Sequence, residues 1–143
     1  VKEAMSLLKP FPAKSIVAND RYKGSIAMAY EDAYRAGVSD YIQFFNEDAR
    51  DFFPAKAVDM VVVNPPWDVR LGGARESWQD LRHFLKEKCR GNVVAWALSG
   101  NIEASRELRM KSESNIYLSY GGMELRFLKY NIVPQKKHVE GES

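Results

Sequence analysis

The sequence predicts an α/β fold built on a mostly parallel sheet with helices on both faces, and three observations carry that expectation. Short apolar runs alternate with stretches of helical periodicity along most of the chain. The run VDMVVV at 58–63 is apolar at nearly every position, as suits a parallel strand covered on both faces. The last two runs flank Gly121 and Gly122 and read as a terminal antiparallel hairpin.

In chain order, residues 2–9 carry a short helical pattern that Pro10 and Pro12 end. KSIVAND then gives a strand over Ile16–Ala18 that closes on Asn19 and Asp20. From Lys23 to Ala36 the apolar positions Ile26, Ala29, Tyr30, Ala33 and Tyr34 recur at helical spacing, with Gly37 where a C-terminal cap belongs. YIQFF at 41–45 is the second strand, the acidic turn NEDARDF follows, and 58–63 is the third. Trp78, Leu81, Phe84 or Leu85, and Cys89 form the stripe of a helix that Gly91 ends. NVVAWAL at 92–98 is the fourth strand, 101–111 a further helix, and NIYLSY with MELRFLKYNIV the hairpin. The tail, 134–143, is polar.

Composition sets bounds on function. With 143 residues, 45% of them hydrophobic, the chain supports one core. A net charge of +2 selects no polyanion globally, so any such contact is local. Cys89 is the sole cysteine, which excludes an internal disulfide and reads as a small buried hydrophobe. Together with only His83 and His138 it gives too few ligands for an ordinary zinc site. No apolar run approaches the ~20 residues of a membrane-spanning helix. VKEAMSLLKP lacks the apolar stretch and small-residue cleavage site of a secretory leader. These features give the expectation of a soluble protein in a reducing compartment, with no membrane partner.

Ligands of open parallel sheets bind beyond the carboxyl ends of the strands. Three strand ends here present polar residues: Asn19 with Asp20, then Asp48, then Asn64–Trp67. A carboxylate so placed accepts both hydroxyls of a ribose, although Asp20 and Asp48 also suit a helix cap or a solvated turn. Asn64-Pro65-Pro66-Trp67 is more specific, because two residues without a backbone N–H must stop the strand and stiffen the turn after it. The Asn64 side-chain oxygen and the Pro65 carbonyl can then face one small donor while Trp67 offers a face to a planar ring. That describes a holder for the exocyclic amino group of a base.

The stretches IVANDRYKGSIAMAYEDAYRAGV, DAR, VVVNPPWDVRL, NVVAWALSGN and YGGMELRFLKYNIV together resemble the S-adenosylmethionine-dependent RNA methyltransferases that modify the 2-amino group of guanine. Within them the likeness is to the large-subunit ribosomal RNA enzymes whose full chains carry a THUMP RNA-binding domain, and it spans residues 15–133. Adenine amino methyltransferases of DNA and RNA share the Asn-Pro-Pro-aromatic element, whereas SGN and YGGMELRFLKYNI favour the guanine enzymes.

The resemblance implies a Rossmann-like methyltransferase sheet over 1–133, S-adenosylmethionine as cofactor, and an RNA substrate, ribosomal by analogy. Asp20 would hold the cofactor ribose, Asp48 with the backbone of Ala49 its adenine, with Asn64 also beside the cofactor. Asn64, Pro65, Pro66 and Trp67 would make the catalytic turn, Trp67 stacking on an unstacked base. Arg70, Arg75 and Arg82 follow as candidate phosphate contacts or as solvated charges. Readings of other classes stay open: a non-catalytic RNA-binding or assembly module, and an adenine amino methyltransferase.

Family members open with a strand and a glycine-rich loop, but this sequence contains no Gly-X-Gly and no THUMP domain. Its first strand matches the family's second, so the expectation is a partial domain, weak or inactive alone, that begins after the loop. The missing strand would lie between 15–18 and 58–63. Those two strands would then pair directly, recruit another chain through their open edges, self-association included, or leave the fold less stable.

Overall fold

The computed structural model describes Glu3, Ser6 and residues 9–67 and 73–134, which fall in two compact units, Val1–Asp51 and Phe52–Ser143. The first unit contains β1 (Ile16–Asn19), α1 (Lys23–Arg35) and β2 (Ile42–Phe45), the last entered through a 3₁₀ turn at Ser39–Tyr41. β1 and β2 pair in parallel with Ile16 opposite Ile42 and Asn19 opposite Phe45. α1 ends where Gly37 takes φ +71°. The Gly37 N–H then reaches the Tyr34 carbonyl at 3.0 Å and the Val38 N–H the Ala33 carbonyl at 2.9 Å. Both bonds of a Schellman cap are made, as the glycine signal predicts. The stripe of α1 is only partly covered: Ala33 is buried and Tyr30 meets Phe44 edge-on at 5.4 Å, but Tyr34 is 68% exposed.

The second unit contains β3 (Met60–Val63), α2 (Gly73–His83) running on through a π-helical turn at Phe84–Lys88, and β4 (Val93–Ser99). α3 (Ile102–Ser105) with a 3₁₀ turn at Arg106–Leu108, β5 (Ser114–Tyr120) and β6 (Met123–Ile132) complete it. The sheet order is β3-β4-β6-β5, parallel for the first pair and antiparallel for the other two. Gly121 and Gly122, both at positive φ, make the two-residue turn of the hairpin. Trp78, Leu81 and Leu85 of the α2 segment and Ala104 and Leu108 around α3 pack on the sheet face formed by Val93, Ala95 and Ala97 of β4 and Leu128, Tyr130 and Ile132 of β6. This cluster is the core of the unit.

Two expectations are corrected. The third strand is not covered on both faces: Val61 and Val63 pack against the core, while Met60 is 58% and Val62 67% exposed. An unbroken apolar run does not reveal which face lacks a helix layer. The helix expected over 101–111 is shorter, because Arg109 takes φ +51° and turns the chain after Leu108. Among the described residues β1 has no ladder partner except β2, and β3 none except β4.

Leu108→Ala, at a fully buried position, should cost about 3 kcal/mol in urea unfolding. Tyr34→Ala should stay within about 0.5 kcal/mol. Equal losses would contradict this account of the core.

Candidate functional site

In the second unit, β3 stops at Asn64 because the two prolines after it cannot donate to a ladder. Pro65 is buried, Asn64 and Pro66 are exposed, and Trp67 is half-buried. With Gly100 and Met123 these four residues line an open cleft of about 580 Å³ at the carboxyl end of the strand. Asn64, Pro65 and Trp67 therefore line one cleft together.

Three contacts hold Trp67 in this position. Its indole Nε1–H donates to the Leu98 carbonyl at 3.4 Å. Its own carbonyl accepts from Asn101 Nδ2 at 3.2 Å. Its ring lies so close to Gly100 that a Cβ there would sit 2.8 Å from Trp67 Cδ2 and Cε3. The partner turn is itself fixed: buried Ser99 donates through Oγ to the Asn101 carbonyl at 2.9 Å and accepts from the Asn101 N–H at 3.2 Å.

The other predicted site residues belong to the first unit. Asn19 laces the ends of β1 and β2, donating through Nδ2 to the Glu47 carbonyl and accepting through Oδ1 from the Glu47 N–H, each at 3.0 Å. Asp20 follows directly, half-buried, with Oδ1 accepting from the Tyr22 N–H at 2.7 Å and its carbonyl from Asn46 Nδ2 at 2.8 Å. Its carboxylate thus closes a tight turn before α1 and does not cap the helix, whose N-cap residue is Tyr22.

Asp48 stands after β2 in a fork with Arg50. Oδ1 accepts from the Arg50 N–H at 2.9 Å and Nε–H at 3.0 Å, and Oδ2 accepts from Nη2 at 2.9 Å. These bonds hold the carboxyl at a pKa of about 2, against an ordinary 3.8. Half-buried Ala49 lies between the two.

Among the candidate phosphate contacts, Arg70 lies outside the described residues. Arg75 is exposed, 4.0 Å from Glu107. Arg82 is half-buried with its Nε buried and unpaired. Burial pushes the Cys89 thiol up to about 11. Sequence reasoning singled out neither Gly100, Asn101 and Met123 nor the Arg50 fork. The SGN triplet was a visible signal, but the contact of Gly100 with Trp67 is a property of the folded sheet.

A model of the RMKL-like methyltransferase domain family matches residues 2–125. The ribosomal RNA large subunit methyltransferase K/L of Alteromonas mediterranea is 31% identical over 134 residues, covering 91% of this chain and 19% of the relative. Its counterpart from Shewanella amazonensis is 31% identical over 110 residues, covering 75% of this chain and 15% of the relative. The chain thus spans under one fifth of the length of these curated relatives.

Among solved structures, a possible methylase from Clostridium difficile 630 superposes with a TM-score of 0.76 at 23% identity, over 94% of this chain and 36% of that one. A putative methyltransferase complexed with SAH gives 0.74 at 16% identity, with the same coverage of 94% and 36%. TrmN from Thermus thermophilus gives 0.67 at 25% identity, covering 89% and 38%. The first two likenesses establish a Rossmann-like α/β fold.

The Asp48–Arg50 fork has a defined pH dependence. Because the folded pKa is depressed to about 2, its contribution to stability is present above the unfolded value near 3.8 and is lost as pH falls from there towards 2. Carboxyl ¹³C titration should place the Asp48 midpoint near 2 in the native protein. Arg50→Ala should return it towards 3.8, and destabilise at pH 7 but not at pH 2. A native midpoint near 3.8 would contradict the fork.

Proposed function

Because the chain belongs to the RMKL-like methyltransferase family, we propose that it is catalytic machinery of an RNA methyltransferase that uses S-adenosylmethionine and modifies the exocyclic 2-amino group of guanine in ribosomal RNA. The observation that carries this reading is that Asn64, Pro65 and Trp67 line one cleft at a strand's carboxyl end. The printed names of the K/L relatives support the RNA class, and SGN with the YGGMELRFLKYNI hairpin supports guanine.

An exocyclic amine is a poor nucleophile, because its lone pair is delocalised into the ring. The Asn64 side-chain oxygen and the Pro65 carbonyl accept its two N–H bonds, favour a pyramidal nitrogen and aim the lone pair. Trp67 stacks on the base, which must first leave its own stack. When bound, the cofactor supplies a methyl group on a sulfonium, an electrophile strong enough that orientation provides most of the rate.

The first unit fits the adenosine part of that cofactor. Asp20 and Asp48 follow the carboxyl ends of two paired parallel strands, where acceptors for ribose hydroxyls and for an amino group belong. Asp20 takes the ribose, and Asp48 with the Ala49 backbone takes the adenine. Arg50 keeps the Asp48 carboxylate ionised and oriented. The 143 residues include no Gly-X-Gly to cradle the methionine part, and β1 and β3 each keep an unpaired edge among the described strands.

In the full natural protein, Asn64→Ala should lower kcat on ribosomal RNA by roughly 10²- to 10³-fold, the loss typical of a single stabilising hydrogen-bonding group. Binding of S-adenosylhomocysteine, followed by calorimetry, should hold within about threefold in the same variant. Activity within threefold of the parent would overturn the catalytic role of the turn. An inactive parent that still binds RNA would instead mark a non-catalytic RNA-binding module.

A further inference from the structure

We propose that Gly100 and Asn101 are positioning residues that set the angle and depth of Trp67, and so the shape of the slot for the base. The inference rests on the reading of Trp67 as a wall of that slot. Among the described residues four glycines take positive φ, but Gly100 is not one of them, so its backbone conformation is open to any residue. The demand for glycine there is one of space. A Cβ would stand 2.8 Å from Trp67 Cδ2 and Cε3 and 3.1 Å from Cγ, a collision with the rigid body of the indole. The ring therefore lies directly against Gly100, beside the cleft that both residues line.

Asn101 secures the other end of the same residue. Its Nδ2 donates to the Trp67 carbonyl at 3.2 Å, and its Oδ1 accepts from the Ala104 N–H at 3.1 Å as the N-cap of α3. The two partners determine the amide's orientation, since a carbonyl needs a donor and an N–H an acceptor. Ordinary capping requires only the oxygen, and Asp or Ser would supply it equally well. The donor half of the side chain is the part that ties α3 to the Asn-Pro-Pro-Trp turn.

Asn101→Asp separates the two duties, because it keeps the capping oxygen but sets a carboxylate against the Trp67 carbonyl. The test uses the full natural protein labelled with 5-fluorotryptophan, the Trp67 ¹⁹F resonance being assigned by Trp67→Phe. In Asn101→Asp the thermal midpoint should hold within a few degrees while the Trp67 resonance moves and kcat/KM on RNA falls about tenfold. Gly100→Ala should shift the same resonance and lower kcat/KM roughly 10- to 100-fold, as a displacement of about an ångström does. If Gly100 acts through Trp67, the double variant Gly100→Ala/Trp67→Ala should be no worse than Trp67→Ala alone, within twofold. An unmoved Trp67 resonance in both Gly100→Ala and Asn101→Asp, or losses that multiply in the double variant, would overturn the proposal. Should Gly100→Ala fail to fold, Asn101→Asp decides alone. Should the parent prove inactive on RNA, the proposed function fails, and the resonance shifts still decide the positioning.

Discussion

The parallel pairing of β3 with β4 is the constraint from which the candidate site arises. With Val63 opposite Ala97, the two strands leave the sheet at the same end, and the Asn64–Trp67 turn emerges beside Leu98, Gly100 and Asn101. The same register directs Val61, Val63, Ala95 and Ala97 towards the helices. A slip of one residue would turn those side chains to the opposite face and separate Trp67 from its contacts at once. Core packing and site geometry are therefore enforced by the same ladder. That coupling explains how a turn on an exposed strand end can be held, with buried Ser99 fixing the Asn101 side that grips Trp67.

The first unit solves a similar problem with side-chain lacing. β1 and β2 are short, and the unit offers little buried apolar surface, Ala33 being its one buried hydrophobe among the described residues. The reciprocal pair of bonds between Asn19 and Glu47 joins the two strand ends where the ladder runs out. Asp20 and Asp48 each follow one of the laced residues. Each is then oriented by its own local bonds, the Tyr22 turn for Asp20 and the Arg50 fork for Asp48. Bidentate contact with a guanidinium keeps a carboxylate charged and aimed at little entropic cost.

How much of this was legible in the sequence depended on whether the signal was local. The Schellman end of α1, the glycine turn of the hairpin and the stop after β3 were readable, since each rests on the effect of Gly or Pro on its own backbone. The Asn-Pro-Pro-Trp turn was readable as a stiff strand stop for the same reason, and it lines a cleft. The two-faced burial expected of 58–63 failed because Met60 and Val62 stay exposed, which no single strand's composition can report. The helix at 101–111 was overextended because the left-handed turn at Arg109 falls on a residue with no special preference for it. In the sequence Gly100 and Asn101 stand out only as part of the SGN triplet. Their joint grip on Trp67 exists only once β4 is laid beside β3.

The most direct test of the central claim is the chemical identity of the product. Ribosomal RNA would be incubated with the full natural protein and methyl-labelled S-adenosylmethionine, digested to nucleosides and resolved by mass spectrometry. The account predicts label on guanosine, on the exocyclic 2-amino nitrogen. Label on the 6-amino group of adenosine, or RNA bound without any transfer of label, would contradict it.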